Sequence, residues 1–181
     1  LGFLRLLGPG AFDGAAPCNP HLAPFLVSLG GPTLAAVDDA NAPDTDIDDK
    51  LVPVYAADLQ SLAGAPAPVW FAAHRPIWAA ISGPLNIRIG GNATIIAAVG
   101  QPPMPPNGAL MLSGHIHTFE AINYDGATPP QIVAGNGGDN LDVTPVDLKG
   151  AIFQGHSGVG VKDGLSVGGF GFMMMTRQDA N

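Results

Sequence analysis

Short apolar runs punctuated by glycine and proline dominate this chain. Pro24–Leu29 (PFLVSL) and Thr33–Val37 (TLAAV) flank Gly30-Gly31-Pro32, which predicts two strands joined as a hairpin. Leu51, Val54, Tyr55, Leu59 and Leu62 recur at helical spacing, with Pro53 acceptable in a first turn, so residues 51–62 are expected to form a helix. Pro68–Ala73 (PVWFAA) is a continuous apolar run of strand length that stops on His74-Arg75-Pro76. Residues 79–108 are ambiguous, with a helix or strand around Ala93–Val99. Ala109–Leu112 is the next buried strand, followed by Phe119–Tyr124 and by Gln131–Ala134, which closes on Gly135-Asn136-Gly137-Gly138. Phe170–Thr176 (FGFMMMT) is the last strand candidate. The pattern is mixed α/β, with polar residues collected just after strand C-termini, the edge where open α/β sheets build their sites.

Composition narrows the classes. The chain has 181 residues and is 46% hydrophobic, enough for one sizeable core and a single domain. Its 25 glycines and 18 prolines alternate with apolar runs and form no repeat, which indicates many turns rather than low complexity. Net charge is −8, with no basic stripe, so binding to a nucleic-acid backbone is not expected. No apolar run approaches the ~20 residues of a membrane helix. Cys18 is the sole cysteine and has no internal disulfide partner. Flanked by prolines, with no neighbouring His or basic residue to lower its pKa, it makes a poor nucleophile.

The candidate chemistry is histidine at strand ends. Leu110–His117 (LMLSGHIH) carries two of the five histidines, one residue apart. In extended backbone His115 and His117 share a face and can serve one cluster; if a turn begins at Gly114 they diverge toward two adjacent metals. Alone the pair is a weak signal, equally compatible with two surface residues. His74 strengthens it, because a second buried strand also ends abruptly on histidine, where turn residues rather than imidazoles are usual. Three imidazoles at one sheet edge suit Zn, Fe or Mn.

Other patterns fit less well. A cupin needs a glutamate at a different spacing from Glu120, which lies three residues after His117. Asp44, Asp46 and Asp48 alternate as in an EF-hand, but Asp49 stands where that loop needs glycine and Tyr55 where it needs glutamate, so a solvated loop is expected. His21 and His156 sit among turn residues without a carboxylate nearby in sequence, and are expected to be surface or locally hydrogen-bonded. Asn92-Ala93-Thr94 matches a glycosylation sequon, a match common by chance. No G-x-S-x-G elbow and no Walker loop is present.

Four blocks in order, WFAAHRPIW (Trp70–Trp78), LMLSGHIHTFEAINYD (Leu110–Asp125), QIVAGNGGDNLD (Gln131–Asp142) and GGFGFMMMT (Gly168–Thr176), resemble the C-terminal half of calcineurin-like metallophosphoesterases. The upstream segment from Gly2 to Thr45 is similar to that family's central region, so the resemblance covers nearly the whole chain. It implies an αββα four-layer sandwich, here incomplete, with residues 1–181 as the C-terminal portion of one domain. It also implies hydrolysis of a phosphate ester at two metal ions, Fe, Zn or Mn. His74 and His115 match the ligands of one metal, and His117 a ligand of the other. In such a site the cations bind phosphoryl oxygens, lower the pKa of a bridging water and stabilise the charge of in-line displacement.

The family's early motifs, D-x-H, G-D-x-x-D and G-N-H-[DE], are absent from these residues. They carry the bridging Asp, the Asn ligand and the catalytic His, which are therefore expected upstream of Leu1. The expectation is a fragment with little activity of its own, cut from an active parent. Cys18 would then have lost a disulfide partner, which points to an extracytoplasmic, periplasmic home. The alternatives are a catalytically dead binding module of the same fold and a mononuclear metal-binding protein. A half-sandwich is further expected to leave an apolar sheet face uncovered, and so to be poorly soluble or oligomeric.

Overall fold

The computed structural model describes residues 21–82, 88–89, 91–100, 106–138, 140–143, 147–151 and 159–176. Cys18 and His156 lie outside them. The chain is mixed α/β, built on a seven-stranded mixed sheet with few helices. The strands are β1 (Phe25–Ser28), β2 (Thr33–Val37), β3 (Val69–Ala73), β4 (Ile81–Ser82), β5 (Arg88–Ile89), β6 (Gly108–Ser113), β7 (Phe119–Tyr124), β8 (Gln131–Ala134) and β9 (Val161–Val167). The large sheet runs β1-β2-β3-β6-β8-β7-β9, and β4 and β5 form a separate two-stranded ribbon. Strands β2, β3, β6 and β8 are mutually parallel, while β1, β7 and β9 pair antiparallel.

Register explains the core. One rung crosses the sheet as Ala35, Phe71, Met111, Gln131, Ile122 and Gly164. Because side chains alternate along a strand, this rung and the residues two positions away on each strand line one face. Helices α1 (Val52–Ser61) and α2 (Ala93–Val99) supply Tyr55, Ile95 and Ile96 to the same apolar cluster as Ala35, Phe71, Met111 and Ile122. Helix α1 places Pro53 in its first turn, as its sequence predicts, where the missing N–H leaves no intrahelical bond unmade. The buried amide of Gln131 is matched by the backbone of Trp78, accepting from its N–H and donating to its carbonyl.

The opposite face is also apolar. Its rung runs Ala36, Ala72, Leu112, Ile132, Ala121 and Leu165, beside Leu34, Trp70 and Leu110. None of these side chains joins either buried apolar cluster. Leu165 is 47% and Val167 50% exposed. Away from β9 the side chains of this face are partly buried. No described helix is long and apolar enough to cross a membrane.

One sequence expectation is corrected. Phe170–Thr176 is irregular rather than a strand, and Phe170, Phe172 and Met174 are exposed. The edge strand β9 forms instead from VKDGLSV, whose polar and glycine content hides its strand character. Asn92, the first residue of the chance sequon match, has a structural role. It is buried, caps α2 by accepting the Ile95 N–H through Oδ1 at 2.9 Å, and donates from Nδ2 to the Ala42 carbonyl at 3.2 Å.

Candidate functional site

Four parallel strands deliver their C-termini to one edge. Strand β2 ends at Asp38-Asp39, β3 at His74-Arg75, β6 at Gly114-His115 and β8 at Gly135-Asn136. Pairing of β3 with β6 brings His74 and His115 together, with ring centroids 5.0 Å apart in an edge-to-face arrangement. The two strand ends are tied by Gly114, whose N–H donates to the His74 carbonyl at 3.1 Å.

Beyond Gly114 the chain turns sharply. His115 has a φ of +64°, the left-handed region that non-glycine residues rarely adopt. The extended geometry that would set His115 and His117 on one face is therefore broken, and the turn at Gly114 is the arrangement found. The backbone of His117 is clamped by Asp142, whose Oδ2 accepts the His117 N–H at 2.8 Å and whose own N–H donates to the His117 carbonyl at 3.0 Å. Asn136 ties the Gly169–Gly171 segment to the same edge, donating from Nδ2 to the Gly169 carbonyl at 2.7 Å.

Two carboxylates that the sequence did not assign to this edge complete it. Asp39 is buried, and its carboxylate accepts the backbone N–H groups of Arg75, at 3.0 Å, and His74. Burial raises its pKa to about 7 despite those two bonds and the Arg75 charge. Asp44, from the acidic loop expected to be merely solvated, reaches over both strand ends. Its Oδ1 lies 2.5 Å from Arg75 Nη1 and its Oδ2 2.9 Å from His115 Nε2. Partial burial pushes the Asp44 pKa up, but the hydrogen bonds to Arg75 and His115 outweigh it and hold the carboxyl below its ordinary value. His74 is held below the ordinary imidazole value, first by burial and then by the charges of His115 and Arg75.

Arg75 also approaches His115, with Nη1 3.0 Å from Nε2. That nitrogen cannot satisfy both neighbours. Protonated, it donates to Asp44; unprotonated, it accepts from Arg75.

Among the described residues no group of three or more His, Cys, Asp or Glu side chains is arranged to hold a metal ion. His74 and His115 are thus brought together, whereas a ligand set completed by His117 is not assembled from the described residues alone. His21 is not the carboxylate-free residue its local sequence suggests: Nε2 lies 2.8 Å from Asp58 Oδ2, far from this edge in sequence, and its ring packs edge-on against Tyr55.

No family model and no curated protein matches the chain. Among solved structures it is similar to one titled "Structure of PhoD", at 12% identity and a TM-score of 0.41. That alignment covers 76% of this chain and 32% of the other, so the chain spans about a third of that structure's length.

Proposed function

We propose that this chain forms part of a metal-dependent phosphoester hydrolase and contributes the histidine-bearing edge of its site. The observation that carries the reading is the meeting of two adjacent parallel strands that each end on histidine, with rings 5.0 Å apart. Packing does not call for imidazoles at two neighbouring strand ends, whereas a site at the C-terminal edge of parallel strands does. The blocks around His74, His115 and His117 that resemble metallophosphoesterases support the same reading.

The chain's own residues supply position and charge. Asp39 fixes the backbone of His74 and Arg75 from beneath, and Gly114 locks β6 to β3. Arg75 presents a cation beside both imidazoles, suited to the oxygens of a phosphoryl group. Because the described residues do not gather a metal centre by themselves, the remaining ligands are to be sought outside them.

The test uses the longest gene product that contains these residues. Hydrolysis of an aryl phosphate and of a bis-aryl phosphodiester is measured with Mn, Zn or Fe and after chelation. Metal-dependent turnover is expected, and His74→Ala, His115→Ala and His117→Ala should each lower kcat/KM by about 100-fold or more. A folded product without metal-dependent turnover, or one indifferent to all three substitutions, removes the reading.

A further inference from the structure

Phe170–Thr176 has the sequence of a strand, yet the segment belongs to no sheet. It has other properties of one. Residues 170–176 run without a turn or bend, and one edge of the chain here is already held. Asn136 accepts the Gly171 N–H through its carbonyl at 3.1 Å and donates from Nδ2 to the Gly169 carbonyl at 2.7 Å. In extended backbone, successive residues point their N–H and C=O groups to opposite edges. Gly169 and Gly171 turn theirs to Asn136, so Phe170, Phe172 and Met174 turn theirs away. Those three make no backbone hydrogen bond among the described residues. Their side chains are 69%, 87% and 76% exposed, while Met173, on the alternate face, is half-buried.

We infer that this segment is a dimerisation strand, paired antiparallel with the same segment of a second copy about an axis at Phe172. The segment is complementary to itself in that register. Phe172 meets Phe172 of the other copy, and Phe170 meets Met174, which gives ring–ring and sulfur–ring contacts on one face. On the other face Gly171 meets Met173, small against large. The rungs at Phe170, Phe172 and Met174 are the ones whose backbone groups face the open edge, so each exchanges hydrogen bonds across the axis. Such a two-fold contact closes on itself and stops at a dimer.

Charge and area agree with a second copy as the occupant. Each chain carries −8, but no residue from Gly164 to Thr176 is charged, so this strip brings no like charges together. At about 200 Å² for a large apolar side chain, Phe170, Phe172, Met174 and Met175 expose about 500 Å² per copy. The pair then covers about 1,000 Å², the lower limit for a specific interface, which fits a reversible dimer. Leu165 and Val167, each about half exposed on β9, lead the same apolar strip up to Phe170. The other exposed apolar edge, β1, has four residues between Pro24 and Pro32, with Leu26 and Val27 only 47% and 40% exposed. It offers less area and fewer rungs. The pairing is independent of the hydrolase reading.

In sedimentation equilibrium, the gene product that contains these residues is expected to show a monomer–dimer equilibrium that saturates at the dimer. Phe172→Asp sets two like charges across the axis and should weaken the dimer by about tenfold or more. Leu26→Asp, on β1, should leave it unchanged. Register is read by cross-linking in a Cys18→Ser background. A hydrogen-bonded antiparallel pair holds its Cα atoms about 5.5 Å apart, within disulfide reach. Phe172→Cys is therefore expected to give a covalent dimer on mild air oxidation. Phe170→Cys and Met174→Cys should cross-link when mixed, and neither by itself. A product that stays monomeric, that associates without stopping at the dimer, or that dimerises undiminished as Phe172→Asp overturns the inference. Loss of the dimer in Leu26→Asp, or Phe170→Cys linking to itself, does the same. If an aspartate variant does not fold, the cross-linking pattern decides.

Discussion

The His74 carbonyl accepts the Gly114 N–H at 3.1 Å, so the ends of two parallel strands are joined at the point where both histidine segments begin. Around that joint the backbone is packed without spare room. A Cβ added to Gly135, at the end of β8, would lie 1.9 Å from the Ile116 carbonyl oxygen and 3.3 Å from the Gly114 carbonyl carbon. Both obstacles are main chain and cannot rotate away.

Gly135→Ala is accordingly expected to cost ~2 kcal/mol or more, the scale of overpacking in a close-packed interior. Gly137, two residues later, has nothing within 4 Å of its added Cβ, so Gly137→Ala should stay within ~0.5 kcal/mol. Urea unfolding of the two variants checks the pair. Equal stabilities would mean that the 114–118 turn does not lie on Gly135.

The left-handed backbone at His115 can be read separately from its ring. His115→Ala and His115→Gly both remove the imidazole, but alanine keeps a Cβ that clashes at a φ of +64° and glycine does not. The glycine variant is expected to be the more stable by about 1 kcal/mol. The reverse order in denaturant melts would contradict the turn at Gly114.

Glu120 gives the fold a pH signature. It is fully buried on the core face, with Oε2 accepting the Ala80 N–H at 3.2 Å and Oε1 without a hydrogen-bond partner among the described residues. Burial raises its pKa from 4.5 to about 7, against the smaller opposing effect of the Ala80 bond. The folded state then binds a proton that the unfolded chain has already released, so stability falls as pH rises from about 4.5 to about 7. Above that window the loss is constant, at most about 3 kcal/mol. Glu120→Gln should raise stability at pH 8 and flatten the thermal-melt profile across the window. It should not abolish the slope, because Asp39 titrates over the same range in the same sense. A variant with unchanged pH dependence would show that Glu120 is not buried as a carboxylic acid.

Much of this fold was legible because its core strands are apolar on both faces. TLAAV, VWFAA and GALMLS carry a continuous hydrophobic run, and the 3.6-residue spacing from Leu51 to Leu62 marks α1. The His74–His115 meeting was legible too, since two such runs stop on histidine. What failed was long-range or atypical. Asp44 joins His115 across 71 positions, and nothing in an acidic loop announces that one carboxylate is recruited. Asn92 stands directly before a periodic apolar segment, the position of a helix cap, but the uncertain 79–108 stretch hides the helix it caps. FGFMMMT has strand-like composition because such residues are normally buried, whereas here Phe170, Phe172, Met174 and Met175 are exposed.

Those exposed residues continue an apolar surface that starts on the sheet. Strand β9 is an edge, and its Lys162 and Asp163 place charge there, which discourages pairing with another strand. Leu165 and Val167 nevertheless face outward beside Ala121 and Ile132, and Phe170, Phe172 and Met174 follow. Exposed apolar side chains of this kind favour self-association wherever nothing covers them. Leu165→Lys with Val167→Lys is expected to lower the weight-average mass in sedimentation and to reduce binding of a hydrophobic dye. Because both side chains are about half exposed and touch neither core cluster, stability should change by less than ~1 kcal/mol. A double variant that unfolds would instead place these residues inside a packed layer. One that associates as strongly as the unmodified chain would move the sticky surface elsewhere, to the Leu34, Trp70 and Leu110 end of the same face.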